Sequence, residues 1–389
     1  MCVHGTTTRN SSSVYLSSYS STQDLSESGR RTNMSKRPVL ITGGCGFVGR
    51  HVVNYLLRQE LSESIWIVDN LFTGKRPAQW LPRSFLLQGK AGAREIYSDR
   101  GRTITFVNQD LRGFLRDYLA GLFGDSSPTF GDVIHLASIV GGRSLIDGDP
   151  LLVATDLAID ADMFCWARVV KPERLLYASS SAAYPIRLQG ALGSVPLREE
   201  EIGFQSELGV PDMTYGWSKL TGEYLAHIAS KFYGLHVACV RPFSGYGEDQ
   251  EPVYPIPAIA QRVARKEDPL LIWGTGQQAR DFVHIDDCVE FMFLVLDGVS
   301  DGSAVNIGTG VLTTFIEIAK LLSDIAGYSP SLKPLLDKPV GVQNRYADVG
   351  RMREKFDWLP HIPLRDGLRR VYEAALVSVY SSQPTVEER

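Results

Sequence analysis

Between residues 38 and 241, short apolar runs recur at intervals. Each closes on polar or glycine residues, and most are followed by a helical stretch. The runs at 39–42, 65–69, 103–108, 132–137, 174–179 and 236–241 have the length and β-branched content of buried strands. Strand alternating with helix predicts an α/β fold, a parallel sheet with helices on both faces. Residues 88–102 are rich in glycine and charge and read as an insertion or long loop. After Arg241 the texture changes: prolines cluster at 242, 252, 255, 257 and 269, and strands shorten. The pattern therefore predicts a first domain at 37–241 and a smaller substrate-binding part at 242–389, with segments interleaved. Residues 1–36 fit neither part. Positions 10–21 are nearly all Ser, Tyr and small polar residues, which predicts a disordered tail. The tail lacks the apolar centre of a secretory signal, and Asp24 and Glu27 count against an organellar transit peptide, the alternative reading. Met34 is a candidate start.

Composition narrows the class. The chain has 389 residues, 44% hydrophobic and 22% charged, ordinary for a soluble globular protein. A net charge of −4 gives no reason to expect nucleic acid or an anionic membrane as partner. The five cysteines are scattered, with no C-x-x-C and no metal spacing. A reduced compartment, the cytoplasm, and no metal site are expected.

The chemistry starts at the first strand. Val39 to Ile41 runs into Gly43, Gly44, Gly46 and Gly49, and a helical stretch follows. Read as G-x-x-G-x-x-G, this is strand, tight turn and helix. Such a turn lets a pyrophosphate approach free N–H groups at a helix start. Gly43, Gly46, Phe47, Val48 and Gly49 are the candidate contacts. The second run ends in Asp69, about twenty residues on, where a dinucleotide ribose is held; the acid favours NAD over NADP because it would repel a 2′-phosphate. Asn70 follows it. Asp110 ends the third run before Leu111 and reads either as an adenine contact or as a helix cap. Leu136 and Ala137 close the fourth run, at the carboxyl end where a Rossmann crevice binds its ligand. His135 beside them reads as structural.

Tyr215 and Lys219 are four residues apart at the start of a predicted helix and so share a face. An ammonium beside a phenol, together with a cationic nicotinamide, lowers the phenol pKa toward the range of a useful base. Ser180, at the end of the fifth run, is placed to hydrogen-bond the same substrate oxygen.

These segments resemble the extended short-chain dehydrogenase/reductase family, in its NAD-dependent nucleotide-sugar epimerase/dehydratase branch. The resemblance spans roughly residues 38–375. It rests on Thr42-Gly-Gly-Cys-Gly-Phe-Val-Gly49, Asp69-Asn-Leu-Phe-Thr-Gly74, His135-Leu-Ala137, Ser179-Ser-Ser-Ala-Ala-Tyr-Pro185 and Tyr215-Gly-Trp-Ser-Lys219. Arg241-Pro-Phe, Arg280-Asp-Phe-Val-His-Ile-Asp-Asp287 and Val305-Asn-Ile-Gly308 extend it. It implies a Rossmann-type sheet with Tyr215 as acid/base, Lys219 as its partner on the nicotinamide ribose, and Ser180 on the substrate. Ser181 would also line the substrate. Arg280 would grip the sugar-nucleotide pyrophosphate. Arg345, in a segment similar to GDP-mannose 3,5-epimerases, would add a second phosphate contact or form a surface ion pair. A homodimer through the Tyr-Lys helix is implied as well.

The chain also departs from the family. Ser181 and Ala182 occupy positions where dehydratases carry Asp-Glu, and 3,5-epimerases carry Cys where this chain has Ala182. Asp156 and Ser244 stand near two usual asparagines. With no further acid or thiol, the expectation is a C4 epimerase of the kind that resembles UDP-glucose 4-epimerases. A 4-dehydrogenase or keto-sugar reductase, or a 3,5-epimerase, is the alternative.

Overall fold

The computed structural model describes residues 34–124, 127–190 and 194–381. The Ser-rich stretch 1–33 lies outside them. A large sheet organises the fold. Its strands in chain order are β1 (Val39–Thr42), β2 (Ser64–Asp69), β3 (Leu86–Ala91), β4 (Arg94–Asp99), β5 (Arg102–Asn108), β6 (Asp132–His135), β7 (Arg174–Ala178), β8 (Val237–Pro242) and a last strand, Asp301–Ile307. In space the order is Asp301–Ile307, β8, β7, β6, β1, β2, β5, β4, β3. All neighbours are parallel except the β3–β4–β5 pairs at one edge. The strand order reverses between β1 and β6, and in a doubly wound sheet the ligand crevice lies at that switch point.

The central strands are apolar on both faces because helices cover both. Val39 and Ile41 pack into one buried cluster with Leu56, Ile67 and Phe106, under helix α1 (Phe47–Arg58) and the helix Ile285–Gly298. Leu40 points the other way, into a cluster with Val133, Phe114 and Trp166 under α2 (Leu111–Leu119) and the helix Thr155–Val170. Truncating such a buried Leu or Ile to Ala costs about 2–5 kcal/mol.

The stretch read as an insertion at 88–102 is instead a hairpin, β3 and β4, that adds two antiparallel strands to the sheet. Strand β3 is exposed throughout. A solvated edge strand is free to be polar, and charge there discourages pairing with another chain, so no apolar period marked it. Residues after Pro242 feed two places. The helix Ile285–Gly298 and the strand Asp301–Ile307 return to the large sheet. The helices Pro255–Ala264, Phe315–Ile325 and Leu364–Ser381 close a separate apolar cluster around Ile259, Val263, Ile318, Leu322 and Leu368.

Candidate active site

The glycine turn is held in place by contact as much as by conformation. Gly43 has φ +68°, and a Cβ there would lie 2.8–2.9 Å from the backbone of Leu136 and Ala137. At Gly49 a Cβ would meet the Gly43 carbonyl at 2.4 Å. No side chain caps the start of α1 at Gly46, which leaves its first-turn N–H groups for an anion. Gly43, Gly46, Phe47, Val48 and Gly49 line one long cleft. Asp69, Asn70, Asp110, Leu111, Leu136 and Ala137 line it as well. Both Asp69 oxygens accept backbone bonds, one from Cys45 N at 2.9 Å and one from Leu71 N at 2.7 Å. Burial pushes the Asp69 carboxyl upward against these bonds. Asp110 caps α2 by accepting from Arg112 N at 3.0 Å, which is its helix-cap reading, and it also borders the cleft. His135 is structural: its ring bonds Thr42 Oγ1 at 2.7 Å and Asp160 Oδ1 at 3.1 Å.

A second cleft, of about 540 Å³, lies on the other side of Tyr215. Ser180, Ser181, Ala182, Arg280 and Arg345 line it, and Ser244 borders it too. Ser180 and Tyr215 belong to both clefts, and Lys219 lines the first. Ser180 follows β7 and caps the short turn Ser181–Ala183 through Ala182 N. Tyr215 and Lys219 lie in the first two turns of the helix Met213–Tyr233 and share a face of it. The Lys219 ammonium lies 5.7 Å from the Tyr215 ring centre and 5.4 Å from that of Tyr177.

The electrostatics add burial to the expected contribution of Lys219. Burial raises the Tyr215 phenol, Lys219 and a hydrogen bond with Ser180 lower it, and Asp156 raises it again; the net direction is up. Sequence spacing identified the Lys219 contribution but carried no measure of burial. Burial pulls Lys219 down, yet Tyr215, Asp160, Asp156 and Glu223 outweigh it, so the ammonium is held above its ordinary value. Asp156, at the place of a usual asparagine, is fully buried and accepts from Ser138 Oγ at 2.7 Å and Ile139 N at 2.6 Å.

Arg280 and Arg345 are register partners on two short parallel strands. Like charges side by side repel. The pair is held from below by Asp281, which accepts from Thr309, Gly310 and Ala347 and so fixes the segments around both arginines. Arg345 Nη2 donates to Asp212 Oδ2 at 2.8 Å, so Arg345 does form an ion pair, one largely buried at the cleft wall. Arg143, which sequence reasoning missed, donates to the same Asp212 at 3.0 Å. Arg280 makes no ion pair among the described residues. It donates to the carbonyls of Ala279, Gln343 and Val340. Burial, with Arg345 next to it, pulls Arg280 down to about 9. Two guanidiniums sharing one carboxylate, with a third beside them that makes no ion pair among the described residues, suit a doubly charged anion. Arg143 and Asp212 carry no motif of their own; only their position beside the Gly141-Gly142 turn and before Tyr215 hints at the site. Among the described residues no group of three or more His, Cys, Asp or Glu is placed to hold a metal ion.

Residues 39–308 match the NAD dependent epimerase/dehydratase family. The chain is 29% identical over 349 residues to a Bacillus subtilis protein named as an uncharacterized UDP-glucose epimerase, covering 89% of this chain and 99% of that one. It is 29% identical over 251 residues to the GDP-mannose 3,5-epimerase of Arabidopsis thaliana, covering 62% of this chain and 63% of the relative. Its fold superposes on the Thermotoga maritima UDP-glucose 4-epimerase, solved with UDP-glucose, with a TM-score of 0.71 and 25% identity, over 87% of this chain and 98% of that one.

Proposed function

The chain belongs to the NAD dependent epimerase/dehydratase family, and from that premise we propose that it epimerises a nucleotide-diphosphate sugar at C4. One observation carries this reading: Ser180 and Tyr215 occupy the junction of the dinucleotide cleft and the arginine-lined cleft. When bound, NAD supplies a hydride acceptor and a cationic ring beside the phenol. The residues of the first cleft fit it: a bare helix start for the pyrophosphate, Asp69 for the ribose, and Lys219 for the second ribose. In the second cleft, Arg280 and Arg345 bind the pyrophosphate and Ser180 orients the reacting sugar oxygen. Tyr215 takes the C4 hydroxyl proton, its negative charge stabilised by Lys219, and returns a proton when the ketone is reduced on its other face. Alanine at 182 supplies no group for elimination or for deprotonation at C3 or C5, and a C4 exchange needs none.

The test is incubation with UDP-, GDP-, dTDP- and CDP-sugars, with products identified by NMR. Epimer forming without net consumption of NAD supports the reading. Stoichiometric NADH would make the protein a 4-dehydrogenase, and consumption of NADH with a keto-sugar would make it a reductase. Solvent deuterium at C3 or C5 of the product would move it to 3,5-epimerisation and reveal a proton-transfer group elsewhere in the cleft.

Two further outcomes follow from the site. NAD should bind more tightly than NADP, and Asp69→Ala should weaken NAD binding and narrow that gap, because a carboxylate repels a 2′-phosphate. Titrating both nucleotides against both proteins measures this; a wild-type preference for NADP would refute it. The second outcome concerns assembly. Leu220 of the Tyr-Lys helix is core, but Trp217, Tyr224 and Phe232 are 46%, 46% and 69% exposed on its outer side. We expect this apolar side to pair with a second copy. Light scattering at micromolar concentration should give twice the chain mass of 43.0 kDa; the monomer mass would reject the pairing.

A further inference from the structure

The loop 247–254 runs between the short strand Ser244–Tyr246 and the helix Pro255–Ala264. Gln250, Val253 and Tyr254 line both clefts, and Glu251 lines the dinucleotide cleft, so the loop spans their junction. It is fastened at two points. On one side Asp249 accepts from Arg50 Nε at 3.0 Å and Nη2 at 2.8 Å, and bonds His51 Nε2 at 2.7 Å. Its carbonyl takes a further bond from Arg50 at 3.2 Å. On the other side Glu251 lies 3.1 Å from the Lys75 ammonium.

Both fasteners lead to the same atom of the glycine turn. Arg50 Nη1 donates to the Cys45 carbonyl at 2.8 Å, and the Lys75 backbone N–H donates to it at 3.0 Å. The loop is thus tied across the turn that would hold a pyrophosphate, from α1 on one side to the segment after β2 on the other. Arg50 is 1% exposed, which is unusual for an arginine and costly unless it is paired. Against burial, His51 and Arg50 hold the Asp249 carboxyl down to about 2, so the first fastener is ionic at neutral pH.

We propose that residues 247–254 form a strap that retains NAD in its cleft between turnovers, with Asp249 as its main fastener and Glu251 as the second. This rests on the reading that the cleft binds NAD and deepens it. A cofactor that leaves slowly suits a reaction in which it is oxidised and reduced within one cycle.

The test is NAD release from the full-length holoprotein, read by dilution into a trap enzyme that consumes free NAD. Asp249→Asn keeps the side-chain shape and removes the charge; release should quicken about 10- to 100-fold. Lys75→Met breaks only the half-exposed bridge and should quicken release by a smaller factor. Melting temperature is measured alongside, since a purely structural role would lower it and leave release unchanged. Wild-type release rates in both variants, or loss of NAD from the wild type during gel filtration, would overturn the strap. If Asp249→Asn does not fold, Lys75→Met decides alone. The two proposals fail separately. Slow release with no epimer in the sugar panel rejects the C4 reading, and epimer formation with unaltered release in the variants rejects the strap.

Discussion

Tyr215→Phe should lose turnover by about 10²–10⁴, the usual worth of a positioned proton-transfer group, while keeping its melting temperature and its hold on NAD. The substitution removes one oxygen and leaves the ring that borders both clefts. Lys219→Met should lose rate and NAD affinity together. It removes the cation that favours the phenolate and the group expected on the nicotinamide ribose. Steady-state rates on the active sugar, with a separate NAD titration, distinguish the two. A Tyr215→Phe protein that retained full turnover would end the acid/base assignment. The net upward shift of the phenol sharpens the expectation. Burial raises the phenol against the pull of Lys219, so the expectation is that the charge of the bound cofactor completes its activation. The phenol titration, followed by absorbance, should move to lower pH when NAD is added and not when NADH is added.

The second large effect is on stability. Glu223→Ala should cost about 3–5 kcal/mol, the usual result of removing one partner from a buried ion pair. Glu223 lies one turn beyond Lys219 on the same helix face and accepts from Arg241 Nε at 2.8 Å and Nη2 at 2.7 Å. It also accepts from Ser179 Oγ. The two charged side chains are 2% and 3% exposed. Arg241 continues to Tyr184 at 2.9 Å, and the Tyr184 hydroxyl donates to Asn306 at 2.8 Å. This chain of bonds joins the Tyr-Lys helix to the residue after β7, to β8 and to the strand Asp301–Ile307. Without Glu223, an arginine would be left charged and unpaired in the core. The urea midpoint should fall accordingly, and activity with it, because the helix that places Tyr215 and Lys219 loses its anchor. A shift below about 1 kcal/mol would show that the network relaxes around the loss.

The sequence carried what short-range physics encodes. The glycine turn was legible because its glycines, its apolar strand and its helix are contiguous. The parallel strands were legible because they are buried on both faces and therefore apolar throughout. Tyr215 and Lys219 were legible because helix geometry alone sets their distance. Their resemblance to a known family then joined motifs that no local rule connects.

The tertiary structure decided everything that depends on which distant segments meet and on how far water is excluded. Strand β3 had no sequence signal because an edge strand exposed to solvent needs no apolar period, and β4 beside it buries only alternate residues. The strand Asp301–Ile307 closes the sheet through pairing with β8, a contact between segments far apart in the chain. Arg280 and Arg345 came side by side only when their strands paired in register. Arg143 and Asp212 joined them through side-chain contacts that no spacing predicts. The direction of the Tyr215 shift was set by burial, a property of the packed fold rather than of any residue. Spacing along a helix fixes how near Lys219 stands to Tyr215, but only the folded protein determines how much water is left between them.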